Sequence, residues 1–193
     1  KSFNKWMNLY VFDYSNLPPE LQDKFIEHYN AKGLNKTYND LKENKIIPFG
    51  AHILMHVGLD TEYWTEVHNS FLERNSKILL EAKSIFNSLD ANDIQSVCLF
   101  ENFGTVVLAD VCLGCFCSGD IDLSADNAEK HKIHSTMLEL GYTLDARRNV
   151  KQNLMSSYCK KGVLTDEPFW VNFEWKPIAR NYIMNMKKIE KRL

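Results

Sequence analysis

Two stretches of the chain carry residue types at spacings suited to chemistry at phosphorus. They are Phe103-Gly104-Thr105 and, after fourteen intervening residues, Asp120-Ile121-Asp122-Leu123. Side chains alternate faces along a strand, so Asp120 and Asp122 would point the same way, about 6.5–7 Å apart along the backbone. Ile121 and Leu123 would then face the core. Two carboxylates on one face repel each other unless a cation neutralises them. Oxygen ligands suit Mg²⁺, which completes its shell with water and substrate phosphates. Such a pair can hold two ions about 3.5–4 Å apart, an arrangement used for in-line displacement at phosphorus. Gly104, between a strand and the start of a helix, would let a phosphate approach backbone N–H groups closely, and Thr105 adds a hydroxyl donor there. The two stretches would grip opposite ends of a nucleoside triphosphate.

The elements that must position these residues follow from apolar periodicity and breakers. Pro18-Pro19 starts a helix with Leu21, Phe25 and Tyr29 on one face, stopped by Gly33. A more polar helix is predicted over 36–45, ending before Pro48, and a short apolar stretch over 51–57 stops at Gly58. Trp64, Val67, Phe71, Ile78, Ala82, Ile85 and Leu89 recur at 3, 4 or 7 residues and mark an amphipathic helix of about eight turns. Their stripe reads as core packing. After Asp90 the character changes. Strands are predicted over 96–100, 120–124, 154–160 and 169–175, with a buried helix over 105–113 and a loop around 114–119. An amphipathic helix over 127–140 closes at Gly141, and 177–193 reads as a final helix with a basic end. The outline is α+β: a helical N-terminal region over 1–92 and a mixed half over 93–193.

Composition bounds the partners. Of 193 residues, 45% are hydrophobic and 12% aromatic, enough for a real core in a soluble globular domain. Lys plus Arg number 23 against 25 Asp plus Glu, a net charge of −2. That balance gives no bulk-charge signal for nucleic acid. No apolar run approaches the length of a membrane span. Five cysteines, four of them close in sequence, fit a reducing cytoplasm better than a disulfide framework.

The order of these pieces resembles the nucleotidyltransferases that share the DNA polymerase β palm. It is most similar to the uncharacterised bacterial nucleotidyltransferase family, through helices before the motif, GDIDLSAD within it, LELGY after it and VNFEWKP downstream. The resemblance spans about residues 20–180. It implies a helical half packed on a small mixed-sheet palm, two Mg²⁺ ions and an NTP substrate whose NMP passes to an acceptor hydroxyl. It also implies a third carboxylate on a neighbouring strand. In Phe169-Trp-Val-Asn-Phe-Glu-Trp175 the candidate is Glu174, which shares a face with Asn172. The family places its acid where Asn172 stands and a His where Glu174 stands. Either Glu174 substitutes or the third carboxylate is missing. Relatives carry an Arg shortly before the Asp pair, where this chain has Phe116-Cys-Ser-Gly119. Ser118, Arg147 and Arg148 are the replacement candidates for phosphate contact. The alternative function is a catalytically degenerate nucleotide-binding, regulatory or antitoxin-like module.

Cys112, Cys115 and Cys117 form a C-x₂-C-x-C cluster that invites zinc, with Cys98, Cys159 or a His as a fourth ligand. No second pair with ligand spacing accompanies it, and cysteine is a frequent small core residue. His131 and His134, three apart on a predicted helix, read as surface residues.

Overall fold

In a computed structural model, the structure describes residues 18–99, 112–117, 119–146 and 154–175, and the backbone of 178–179 and 182–183. Five α-helices and a five-stranded mixed sheet place these residues in the α+β class. The helices are α1 (Pro19–Lys32), α2 (Leu34–Glu43), α3 (Ile47–Val57), α4 (Thr61–Ala91) and α5 (Lys130–Glu139). The chain forms two compact units. One contains residues 18–76 and 112–117, the other residues 77–99 and those from 119 onward, so the division falls within α4.

The first unit is helical. Proline in the first turn starts α1 and again α3, where Pro48 lies inside the helix. The apolar stretch read over 51–57 is therefore the latter part of a longer helix. The polar helix read over 36–45 runs instead from Leu34, directly after Gly33, to Glu43. Gly33 and Gly58 both have positive φ, 77° and 82°, which glycine adopts without a Cβ clash and which turns the chain sharply between helices. Phe25, Tyr29, Leu41, Leu54 and Trp64 form the core of this unit. The Trp64 indole donates to the Tyr29 hydroxyl at 2.9 Å, and that hydroxyl in turn donates to Asp60. Gly50 is held against Leu41 so closely that a Cβ would collide with its side chain.

The second unit is built on the sheet, in the order β1-β2-β5-β4-β3. Its strands are β1 (Cys98–Leu99), β2 (Asp120–Ser124), β3 (Thr143–Leu144), β4 (Met155–Lys160) and β5 (Phe169–Glu174). The central pair, β2 and β5, is parallel, and every other pair is antiparallel. Ile121, Leu123, Val171 and Phe173 on one face are fully buried, as are Ile133 and Met137 of α5. Tyr158 packs edge-on against Phe173 and meets His134 of α5 through its hydroxyl at 3.2 Å. His134 is thus partly inside rather than a surface residue. Ile78, Ala82, Ile85 and Leu89 of α4 are buried, as their spacing requires. Glu81 of the same helix accepts from Tyr142 at 2.7 Å and from Lys160 at 3.0 Å.

The helix read from residue 127 starts there: the Asp126 side chain caps Ala128 N–H, a 3-10 turn covers Asn127–Glu129 and an α-helix continues from Lys130. One expectation is corrected: the final helix read over 177–193 is wrong at its start. Ile178–Ala179 and Tyr182–Ile183 pair as two antiparallel strands, β6 and β7. Their β-branched and aromatic residues favour extended backbone. The basic end of that segment lies outside the described residues. Among the described residues no helix is long and apolar enough to cross a membrane.

Candidate functional site: a carboxylate face on the central strands

Strand β2 carries the Asp pair in the centre of the sheet, and its alternation does what the sequence requires. Ile121 and Leu123 are fully buried on the apolar face, while Asp120 and Asp122 sit half-buried on the other. The parallel register sets Trp170 opposite Asp120, Asn172 opposite Asp122 and Glu174 opposite Ser124. Asn172 is the residue that ties the face together. Its Nδ2 donates to Asp120 Oδ2 at 3.1 Å and to Asp122 Oδ1 at 2.9 Å. Its Oδ1 accepts from the Ser157 hydroxyl on β4 at 2.8 Å. Asn172 and Ser157 are buried, 7% and 1% exposed, so this chain of bonds is shielded and correspondingly strong.

One amide hydrogen thus binds each carboxylate and offsets part of the repulsion between them. A carboxylate offers about four lone-pair positions, so these bonds are compatible with metal coordination by the same groups. The donor set, half-exposed oxygens in a rigid frame, suits a hard cation such as Mg²⁺. Glu174 lies on the same face, half-buried, two residues beyond Asn172 on β5. The structure therefore brings Asp120 and Asp122 together on Asn172, with Glu174 alongside in register with Ser124. Gly104, Thr105, Ser118, Arg147 and Arg148 lie outside the described residues. So does the helix read over 105–113, apart from its last two residues: Cys112, and Leu113, which opens a 3-10 turn.

A second group of ligand-type side chains lies in the first unit. His52 of α3, His68 of α4 and Cys112 and Cys115 converge, with one ligand atom of each lying within 4.8 Å of all the others. Burial, and after it the Cys112 thiol alongside, pushes the Cys115 thiol up to about 12. The cysteine half of this group was legible as C-x₂-C; His52 and His68 were not singled out. Their only linear signal is a His pair, His52 and His56, on α3 and a single His on α4, and only the folded packing selects His52 and His68 from the six histidines. Cys117 is exposed and is not a member of the group, while Cys98 and Cys159 lie in β1 and β4 of the sheet.

No family model, curated protein or solved structure matches the chain.

Proposed function

We propose that the carboxylate face is the active site of a Mg²⁺-dependent nucleotidyltransferase that moves NMP from an NTP to an acceptor hydroxyl. One observation carries the reading: Asp120 and Asp122 share one face of the central strand and are fixed there by Asn172 from the adjacent parallel strand. Asp120 and Asp122 would hold the ion, with Glu174 the candidate for a further ligand. When bound, Mg²⁺ supplies neutralisation of the triphosphate and a lower pKa for the attacking hydroxyl.

The chain's own residues do the positioning. Asn172 sets the spacing of the two carboxylates, and Ser157 fixes the orientation of the Asn172 amide. In the reaction the acceptor oxygen forms a bond to the α-phosphorus, the bond from that phosphorus to the bridging oxygen breaks, and pyrophosphate leaves. The hydroxyl proton goes to a carboxylate of the pair or to water. Gly104 and Thr105, with Ser118, Arg147 and Arg148, belong to the same proposal as phosphate contacts.

The alternative, a degenerate nucleotide-binding module, is favoured by one specific feature. The position opposite Asp122 holds an amide, so the one carboxylate that β5 adds to this face is Glu174, displaced to the position opposite Ser124. The test is calorimetry with each of ATP, GTP, CTP and UTP, with and without Mg²⁺, alongside an assay of pyrophosphate release. Mg²⁺-dependent binding with turnover supports the enzyme, and binding without turnover supports the module. No Mg²⁺-dependent binding, or equal binding by the double variant Asp120→Asn/Asp122→Asn, sinks the enzyme, and no nucleotide binding under either condition sinks both.

A further inference from the structure

We propose that His52, His68, Cys112 and Cys115 form a structural zinc site in the helical unit, separate in chemistry from the carboxylate face. Two imidazole nitrogens and two thiolates are the ligand set that suits Zn²⁺ and excludes Mg²⁺. A tetrahedral ion with Zn–S of about 2.3 Å and Zn–N of about 2.0–2.1 Å has ligand-to-ligand edges of about 3.3–3.8 Å. The four ligand atoms lie within 4.8 Å of one another, and Cys112 Sγ is 3.5 Å from His68 Nε2. Closing the remaining gap needs side-chain adjustment of less than about 1–1.5 Å at these edges. Two thiolates balance the charge of the ion, so the filled site is neutral overall, as burial against His68 and Cys115 demands.

The backbone around the cysteines is shaped for the role. Cys112-Leu-Gly-Cys115 is a tight 3-10 turn in which Cys115 N–H donates to the Cys112 carbonyl at 2.9 Å. This turn aims both sulfurs at one point. Gly114 lies against the His68 imidazole so closely that a Cβ would overlap the ring, which makes glycine a requirement of this approach. Asn75, fully buried about two turns of α4 beyond His68, clamps the turn. Its Nδ2 donates to the Leu113 carbonyl at 2.6 Å and to the Phe116 carbonyl at 2.7 Å. The His52 ring is set by an edge-on contact with His56 at 4.4 Å between centroids and lies 5.5 Å from the His68 ring. Four protein ligands leave no open position for substrate. The ion would fasten the 112–117 segment to α3 and α4, which are distant from it in sequence.

The experiment uses the full chain purified without metal-chelating resin or added zinc. Elemental analysis is expected to find about one zinc per chain, the stoichiometry of a closed four-ligand site. Replacement by Co²⁺ is expected to give tetrahedral d–d bands with thiolate charge transfer. Cys115→Ser and His68→Asn should each lose the metal, whereas Cys117→Ser and Asp120→Asn/Asp122→Asn should keep it. If a ligand variant fails to fold, Co²⁺ titration of the stripped, reduced wild-type chain decides the matter. The proposal is overturned by a reduced chain that takes up neither Zn²⁺ nor Co²⁺, or by an octahedral cobalt spectrum. It is equally overturned by a Cys112–Cys115 disulfide as the resident state, or by zinc that survives both ligand substitutions.

Discussion

The carboxylate face and the His/Cys group solve the same problem, gathering ligand-type side chains, by opposite means. On the sheet, two adjacent strands in register supply the spacing, and alternation alone sends Asp120 and Asp122 to one side. In the helical unit nothing is in register: α3, α4 and a 3-10 turn each contribute, and only tertiary packing brings the atoms together. The donor chemistry differs in parallel. Carboxylates on half-buried residues suit a hard cation that keeps room for water and substrate phosphates, whereas sulfur and imidazole, with His68 and Cys115 buried, suit a softer ion held by protein ligands alone. A sheet face can be open for reaction; a four-ligand cluster is closed and holds structure.

That contrast breaks if the two sets of substitutions are not separable. The largest effect is expected from Asp120→Asn/Asp122→Asn, which should cut nucleotidyl transfer by at least about 10²-fold, the scale of losing one positioned charge-stabilising group. Its zinc content should be unchanged, and pyrophosphate release with elemental analysis reads both. Next, Gly114→Ala should weaken zinc or cobalt binding by about 10–100-fold, because its methyl displaces the His68 ring, a scale typical of disturbing the shell around a metal. Competition with a chelator measures it, and Mg²⁺-dependent nucleotide binding should not follow.

Smaller effects sharpen the comparison within each region. Asn75→Ala removes the donor to two carbonyls of the cysteine turn and should cost about 1–3 kcal/mol in denaturant unfolding of the metal-free chain. Asn172→Asp adds a further carboxylate to this face, opposite Asp122. It should lower stability by about 1–3 kcal/mol without Mg²⁺, and added Mg²⁺ should restore more stability than in the wild type. An equal Mg²⁺ response in the two proteins would remove the carboxylate face as a cation site. Last, burial pushes the Tyr158 hydroxyl up to about 12. The folded state then favours the protonated phenol. Its contribution is complete below the ordinary tyrosine value of about 10 and is lost as pH rises towards about 12. Unfolding free energy should be flat in this group below about pH 10 and fall above it, and Tyr158→Phe should flatten that fall.

Legibility in the sequence follows the range of the forces involved. Phe25 and Tyr29, and the α4 residues from Ile78 to Leu89, are buried as their spacing implied, because periodicity reports which face a helix hides. The β2 alternation was equally local and equally readable. Asn172 was visible as a departure at the third-acid position, but its bonds to both Asp residues depend on strand pairing between segments 50 residues apart. The start of α3 was missed because Pro48 reads as a terminator when it actually occupies the first turn. His52 and His68 carried no spacing signal relative to Cys112 and Cys115. Composition near 178–183 lost to the helical reading of the basic residues that follow.

The division of the chain into units is discontinuous: the helical unit ends at Ser76 and is completed only by the segment ending at Cys117, while the sheet unit begins between them. A ribosome delivers residues in order, so Cys112 and Cys115 emerge after α3 and all of α4 are already outside or leaving the exit tunnel. The helical unit must therefore wait, with His52 and His68 in place and no sulfur partners, until part of the sheet unit has been made. No single cut can release either unit whole. A fragment ending before residue 112 would keep both imidazoles and lack both thiols, and a fragment starting at residue 77 would carry the thiols alone.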